Sequence, residues 1–142
     1  MRVLFDTNVL LDLLLAREPF ASNASFLLEA IDARWIEGFI SATTVTDVHY
    51  IVRKQTHSRE KALIAVTTLL KVMHVCAVSR EILLQATALQ SIDFEDNVQI
   101  ACAMSMKVEL IVTRDAVGFL ASPIPAMSPA ELQDRICRQK GF

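Results

Sequence analysis

The chain has 142 residues, 53% of them hydrophobic and 21% charged, enough for one domain with its own core and no need of disulfide staples. Its formal net charge of −2 excludes a general attraction to polyanions over the whole surface, so any nucleic-acid contact has to be local and cation-assisted. The longest charge-free stretch, residues 116–130, contains Gly118, Pro123 and Pro125 and falls short of the roughly 20 apolar residues of a membrane span.

Asp6 interrupts the only apolar run near the start before a signal core can form, so the chain is expected to stay in the cytosol. Cys76, Cys102 and Cys137 are odd in number and contain no Cys-x-x-Cys pair, and His49, His57 and His74 form no zinc-type cluster with them. Reduced, mostly buried thiols are the expectation.

Strand and helix signals alternate along the chain. Residues 3–5 read as a buried strand ending at Asp6, and residues 8–16 as a helix that is apolar almost all round except at Asp12. Further helices are predicted over residues 22–34, 43–55, 58–71 and 80–90, with strands at 38–41, 73–78 and 109–113. Asp93-Phe-Glu-Asp96 opens a helix whose Ala101, Cys102 and Ala103 are small enough to pack close to a sheet. Ser128-Pro129-Ala-Glu131 carries an N-cap serine, a proline at the first helical position and an N3 glutamate, which predicts a last helix. This order implies a single three-layer α/β/α domain over residues 1–142 with a mostly parallel central sheet.

In a parallel sheet, residues that follow strands lie on one edge, the edge where open α/β folds carry their sites. Asp6 and Asp115 are placed there by their strands, and Asp96 and Asp47 by the helix openings that return to it. Carboxylates converging from different elements suit a hard cation such as Mg²⁺ or Mn²⁺. Each has a plainer reading as well. Asp6 and Asp93 are placed to cap helices, with Asp96 at N3 of the second, and Asp115 can be one half of a surface Arg-Asp pair. Asp47 falls at the margin of the buried stripe of Val45, Val48, Ile51 and Val52. Taken together, Asp6, Asp47, Asp96 and Asp115 are the candidate catalytic and metal-holding residues, with Asn8, Asp93 and Thr113 in support. Glu95 is expected to point away into solvent, and Arg114 reads as an ordinary surface residue. Lys54 shares a helix face with Asp47 and, with Arg53, Arg59 and Lys61, forms either a rim for phosphates or a plain solvated face.

Four blocks in order, Phe5-Asp6-Thr-Asn8-Val-Leu-Leu-Asp12, Ser41-Ala-Thr-Thr-Val-Thr-Asp47, Asp93-Phe-Glu-Asp96-Asn-Val-Gln-Ile-Ala-Cys-Ala103 and Ile111-Val-Thr113-Arg-Asp115, resemble the PIN-domain family, including the toxins of VapBC-type toxin–antitoxin pairs. The resemblance runs from about residue 2 to 120. It implies a Mg²⁺- or Mn²⁺-dependent endoribonuclease acting on single-stranded RNA, with an antitoxin partner, and it matches Asp6, Asp96 and Asp115 to the family's acidic residues. Asp47 departs from it, because the family usually has glutamate there and aspartate is one methylene shorter. In that reaction a divalent cation activates water, so no serine, cysteine or histidine nucleophile is needed, and with only three glycines there is no phosphate-cradling loop. Two competing readings remain. A strand-end-aspartate phosphatase needs a second acid two residues after Asp6, where this chain has Asn8. A non-catalytic PIN-like module for RNA binding or interaction follows if Asp47 fails to complete the site. Leu10, Leu11, Leu13, Leu14 and Leu15 suggest a homodimer or antitoxin surface on the first helix, unless neighbouring helices bury them.

Overall fold

The computed structural model describes residues 1–142. Its elements in chain order are β1 (Arg2–Phe5), α1 (Thr7–Leu14), α2 (Ala21–Asp32), β2 (Glu37–Ser41), α3 (Ala42–Thr56), α4 (Arg59–Val72), β3 (His74–Cys76), α5 (Arg80–Ala88), α6 (Phe94–Ser105), β4 (Leu110–Val112), a short 3₁₀ turn (Ala116–Phe119), β5 (Ala126–Met127) and α7 (Pro129–Lys140). The sheet order is β3-β2-β1-β4-β5, and every neighbouring pair is parallel.

Side-chain alternation along the strands divides the core into two layers. Val3 and Phe5 of β1, Ile40 of β2, and Leu110 and Val112 of β4 enter one cluster with residues of α1, α2, α3, α4 and α7. Leu4, Phe39 and Ile111, the intervening residues, enter a second cluster with α5, α6 and Phe119. The α/β/α sandwich thus follows from strands that are apolar on both faces, as buried parallel strands must be.

Helix starts follow the local chemistry. Ser41, Ser58, Ser79 and Ser128 cap α3, α4, α5 and α7 through their hydroxyls, and Asp93 caps α6 by accepting bonds from the backbone N–H groups of Glu95 (2.9 Å) and Asp96 (3.3 Å). α1 stops at Leu14, two residues before the expected end. There the Arg17 N–H bonds back to the Asp12 carbonyl (2.9 Å) and Ala16 takes a left-handed φ of 50°. The leucines of α1 are accounted for by burial: Val9, Leu10 and Leu11 lie in the first cluster, and Leu13, Leu14 and Leu15 pack half-buried against it. β3 is shorter than the run expected for it, and β5 was not anticipated: two residues after Pro125, it is too short to carry an alternation signal. No helix is long and apolar enough to cross a membrane. All three cysteines are free, with Cys76 and Cys102 buried in the second cluster.

Candidate acidic site at the carboxyl edge of the sheet

β1 and β4 lie side by side, with Phe5 opposite Val112, so the residues that follow them leave the sheet together. Asp6 leaves β1 with its N–H bonded to the Val112 carbonyl (3.0 Å) and is almost fully buried. One carboxylate oxygen, Oδ1, accepts from the Thr7 N–H (2.7 Å), which caps α1, and from Gln99 Nε2 (2.9 Å). The other, Oδ2, accepts from the Thr113 hydroxyl (2.7 Å). Asp6 is therefore a helix cap and a member of the cluster at once, and the two readings of it do not compete.

Thr113 is completely buried at the end of β4. Its hydroxyl donates to Asp6 and accepts from the Asp115 N–H (2.9 Å), so one side chain ties the two strand-end aspartates together. Asp115 then caps the 3₁₀ turn through the Gly118 N–H (3.4 Å). A Cβ on Gly118 would stand 2.6 Å from Asp96 Oδ2 and 3.1 Å from Asp115 Oδ2. Two carboxylate oxygens thus converge on the space that glycine's missing side chain leaves open. A cleft of about 400 Å³ beside them is lined by Asp93, Asp96, Asp115 and Gly118 together with the apolar Ile92, Val117 and Leu120.

The electrostatics record crowded negative charge. Burial first, then the charges of Asp93, Asp6 and Asp115, push the Asp96 carboxyl up to about 6. Glu95 is exposed, as expected, but it stands among other acids. The neighbouring Asp47 carboxyl first, then partial burial and the charges of Asp47, Asp93 and Asp96, raise its carboxyl to about 7.

Asn8 does not bond to Asp6, and its Oδ1 is shielded from solvent without a partner. Arg114 is likewise more than a surface residue. Its Nε and Nη2 clamp the buried Asp12 carboxylate at 2.6 and 3.2 Å, and its guanidinium lies 4.1 Å from the centre of the Phe20 ring. The clamp anchors the chain between Thr113 and Asp115 to α1. Gln99 was missed in the sequence; the available signal was a polar residue between the apolar Val98 and Ile100 in a helix buried from Asn97 to Ala103. Missed too was the hydroxyl relay from Thr7 to Thr44 (3.0 Å) and from Thr44 to Ser41 (3.1 Å), which joins the starts of α1 and α3.

No three His, Cys, Asp or Glu side chains enclose a metal ion by themselves. Asp6 is held back by its three donors, and Asp47 has no donor among the site residues. The donor set still suits Mg²⁺ or Mn²⁺, which are commonly held by one or two carboxylates, substrate phosphates and several waters. The open cradle at Gly118, with an oxygen of Asp96 and one of Asp115 on it, meets that requirement.

Fold and edge together define an α/β protein with acidic side chains gathered at the carboxyl end of a parallel sheet. The sequence profile of the PIN domain matches residues 2–116, and the chain belongs to the PIN-domain family. A toxin–antitoxin complex from Klebsiella pneumoniae superposes with a TM-score of 0.67 at 25% identity, over 89% of this chain and 97% of that one. VapBC2 from Rickettsia felis, bound to a DNA fragment from its promoter, gives 0.65 at 14% identity over 90% and 98%. VapC20 from Mycobacterium tuberculosis, a toxin that cleaves the sarcin-ricin loop, gives 0.63 at 16% identity over 77% and 86%. These last two likenesses are of fold alone. A comparison of the sequence with curated proteins gave no match.

Proposed function

We propose that the chain is a metal-dependent ribonuclease that hydrolyses phosphodiester bonds in single-stranded RNA, and that it is the toxin of a toxin–antitoxin pair. The observation that carries the reading is the convergence of Asp96 and Asp115 on the Gly118 cradle, with Asp6 bonded behind them through Thr113. Membership of the PIN-domain family supports a nuclease, and likeness to the Klebsiella pneumoniae complex supports an antitoxin partner. A homodimer belongs to the same reading, supported by exposed apolar side chains along α4, namely Leu63, Ile64 and Leu70.

Asp96 and Asp115 would hold Mg²⁺ or Mn²⁺. Once bound, the cation supplies Lewis-acid stabilisation of charge on the phosphoryl group and makes water a better nucleophile. The protein's own part is positional. Thr113, Gln99 and the Thr7 N–H donate to Asp6 and hold its carboxylate in place behind Asp96 and Asp115. The Asp12–Arg114 clamp holds the segment that carries Asp115. Carboxylates alone would repel a phosphate; burial and the charges of Asp93, Asp6 and Asp115 already raise the Asp96 carboxyl, and a bound cation would offset that crowding of negative charge. The test is RNA cleavage in Mg²⁺ or Mn²⁺, in EDTA, and after restoring the cation: cleavage that stops and returns supports the reading, and undiminished cleavage in excess EDTA overturns it.

A further inference from the structure

The α3–α4 hairpin carries a groove of about 560 Å³ lined by Tyr50, Arg53, Lys54, His57 and Arg59. On a protein of net charge −2 it is a local concentration of positive charge. None of these cations is neutralised by an ion pair: the molecule's salt bridges are Arg2–Glu37, His74–Glu37 and Arg114–Asp12. The nearest acid in sequence is Glu60, which follows Arg59 in the first turn of α4. The negative end of α3 and the positive end of α4 both open on the groove, so the two helix dipoles offset and the side-chain cations set its charge. Tyr50 is 65% exposed, an unusual position for an aromatic ring with no apolar partner, and the Lys54 ammonium lies 6.0 Å from its centre.

The groove is in line with the acidic edge. Asp47, Tyr50 and Lys54 recur at spacings of three and four residues along one face of α3, and His57 is its left-handed C-cap. The Asp47 end of that stripe meets Glu95 of the acidic cluster, and Lys54 stands two turns further on, about 10 Å away. That interval corresponds to about three stacked nucleotides at 3.4 Å rise. Exposed aromatic faces beside cations are the usual means of holding a single strand, bases stacked and phosphates paired. An acidic polypeptide would use the cations and leave the ring idle.

We propose that this groove binds single-stranded RNA adjoining the cleaved phosphate, with a base stacked on Tyr50 and backbone phosphates on Arg53, Lys54 and Arg59. The proposal rests on the ribonuclease reading for its substrate, and its test is independent of cleavage. A fluorescein-labelled single-stranded oligoribonucleotide is titrated in EDTA, at several salt concentrations, with wild type, the double variant Arg53→Gln/Lys54→Gln, Tyr50→Ala, and Arg135→Gln/Arg138→Gln on α7 as control. The double variant should weaken binding at least tenfold and lower the slope of log affinity on log salt by about 1.4, two phosphates' worth for a single strand. Tyr50→Ala should weaken binding with the slope unchanged, and the α7 variant should bind as wild type. Wild-type affinity and slope in both groove variants overturn the proposal, as does the result, in a parallel titration with a labelled polyglutamate peptide, that the groove variants lose the peptide and keep RNA. A wild type that binds RNA through the groove but does not cleave it in Mn²⁺ leaves the groove standing and overturns the ribonuclease reading.

Discussion

Arg114→Ala is the substitution whose cost the structure specifies best. Asp12 is 1% exposed, and its carboxylate is held by Arg114 alone, through Nε at 2.6 Å and Nη2 at 3.2 Å. Removing the guanidinium leaves a buried acid without its counter-charge, which typically costs about 3–5 kcal/mol. The Arg114 side chain is 29% exposed, so water can enter the gap and the expected value is the lower end, about 3 kcal/mol. Loss of the contact with the Phe20 ring adds about 0.5 kcal/mol. Against a total stability of about 5–15 kcal/mol that is a large fraction. Urea unfolding followed by far-UV circular dichroism measures it, with an unchanged slope required for the comparison. The double variant Asp12→Leu/Arg114→Met should recover most of the loss, since apolar replacement of a buried pair is often neutral. A loss below about 1 kcal/mol for Arg114→Ala, or a double variant as unstable as the single one, would refute this account of the clamp.

Gly118→Ala should leave the melting temperature within a few degrees of wild type and cut RNA cleavage at least tenfold, because the new methyl displaces the flexible end of Asp96 rather than backbone. In EDTA, stability should fall as pH rises from about 4 through 7: the raised Asp96 and Glu95 carboxyls are easier to protonate folded than unfolded, so their contribution is full at low pH and lost as each ionises near 6 and 7. Asp96→Asn should flatten that dependence, and a melting curve with the same slope in the variant would contradict it. Asp47→Ala should lower cleavage while Asp47→Glu retains or raises it; equal rates in all three proteins would place Asp47 outside the site.

Much of this was legible because it is local. The apolar run before Asp6, the cap at Asp93 and the Ser128-Pro129 start of α7 are encoded within four residues of where they act, and the alternation of elements sufficed for a parallel α/β sandwich. β5 escaped because its two residues pair with β4 through a partner distant in sequence and carry no pattern of their own. The gathering of Asp6, Asp96 and Asp115 at one edge follows from strand ends and helix starts, yet which oxygen meets which donor does not. Thr113 bridging two aspartates depends on β4 lying beside β1, and Gln99 reaching Asp6 across 93 residues and Glu95 standing near Asp47 depend on the packing of α6 against the sheet. Arg114 was misjudged for the same reason: its partner is an acid 102 residues away, visible beforehand only as the odd charge in an apolar helix.

The central claim is that the aspartates at the sheet edge perform chemistry rather than merely cap helices. Asp6→Asn tests it most directly, because asparagine keeps one side-chain oxygen for the Thr7 N–H and the Gln99 amide and turns its NH2 to the Thr113 hydroxyl, which can accept, while the charge is removed. Cleavage of single-stranded RNA in Mn²⁺ should fall to background in this variant, while its melting temperature in EDTA stays level or rises as like-charge repulsion is relieved. A folded Asp6→Asn protein that cleaves RNA at the wild-type rate would contradict the account.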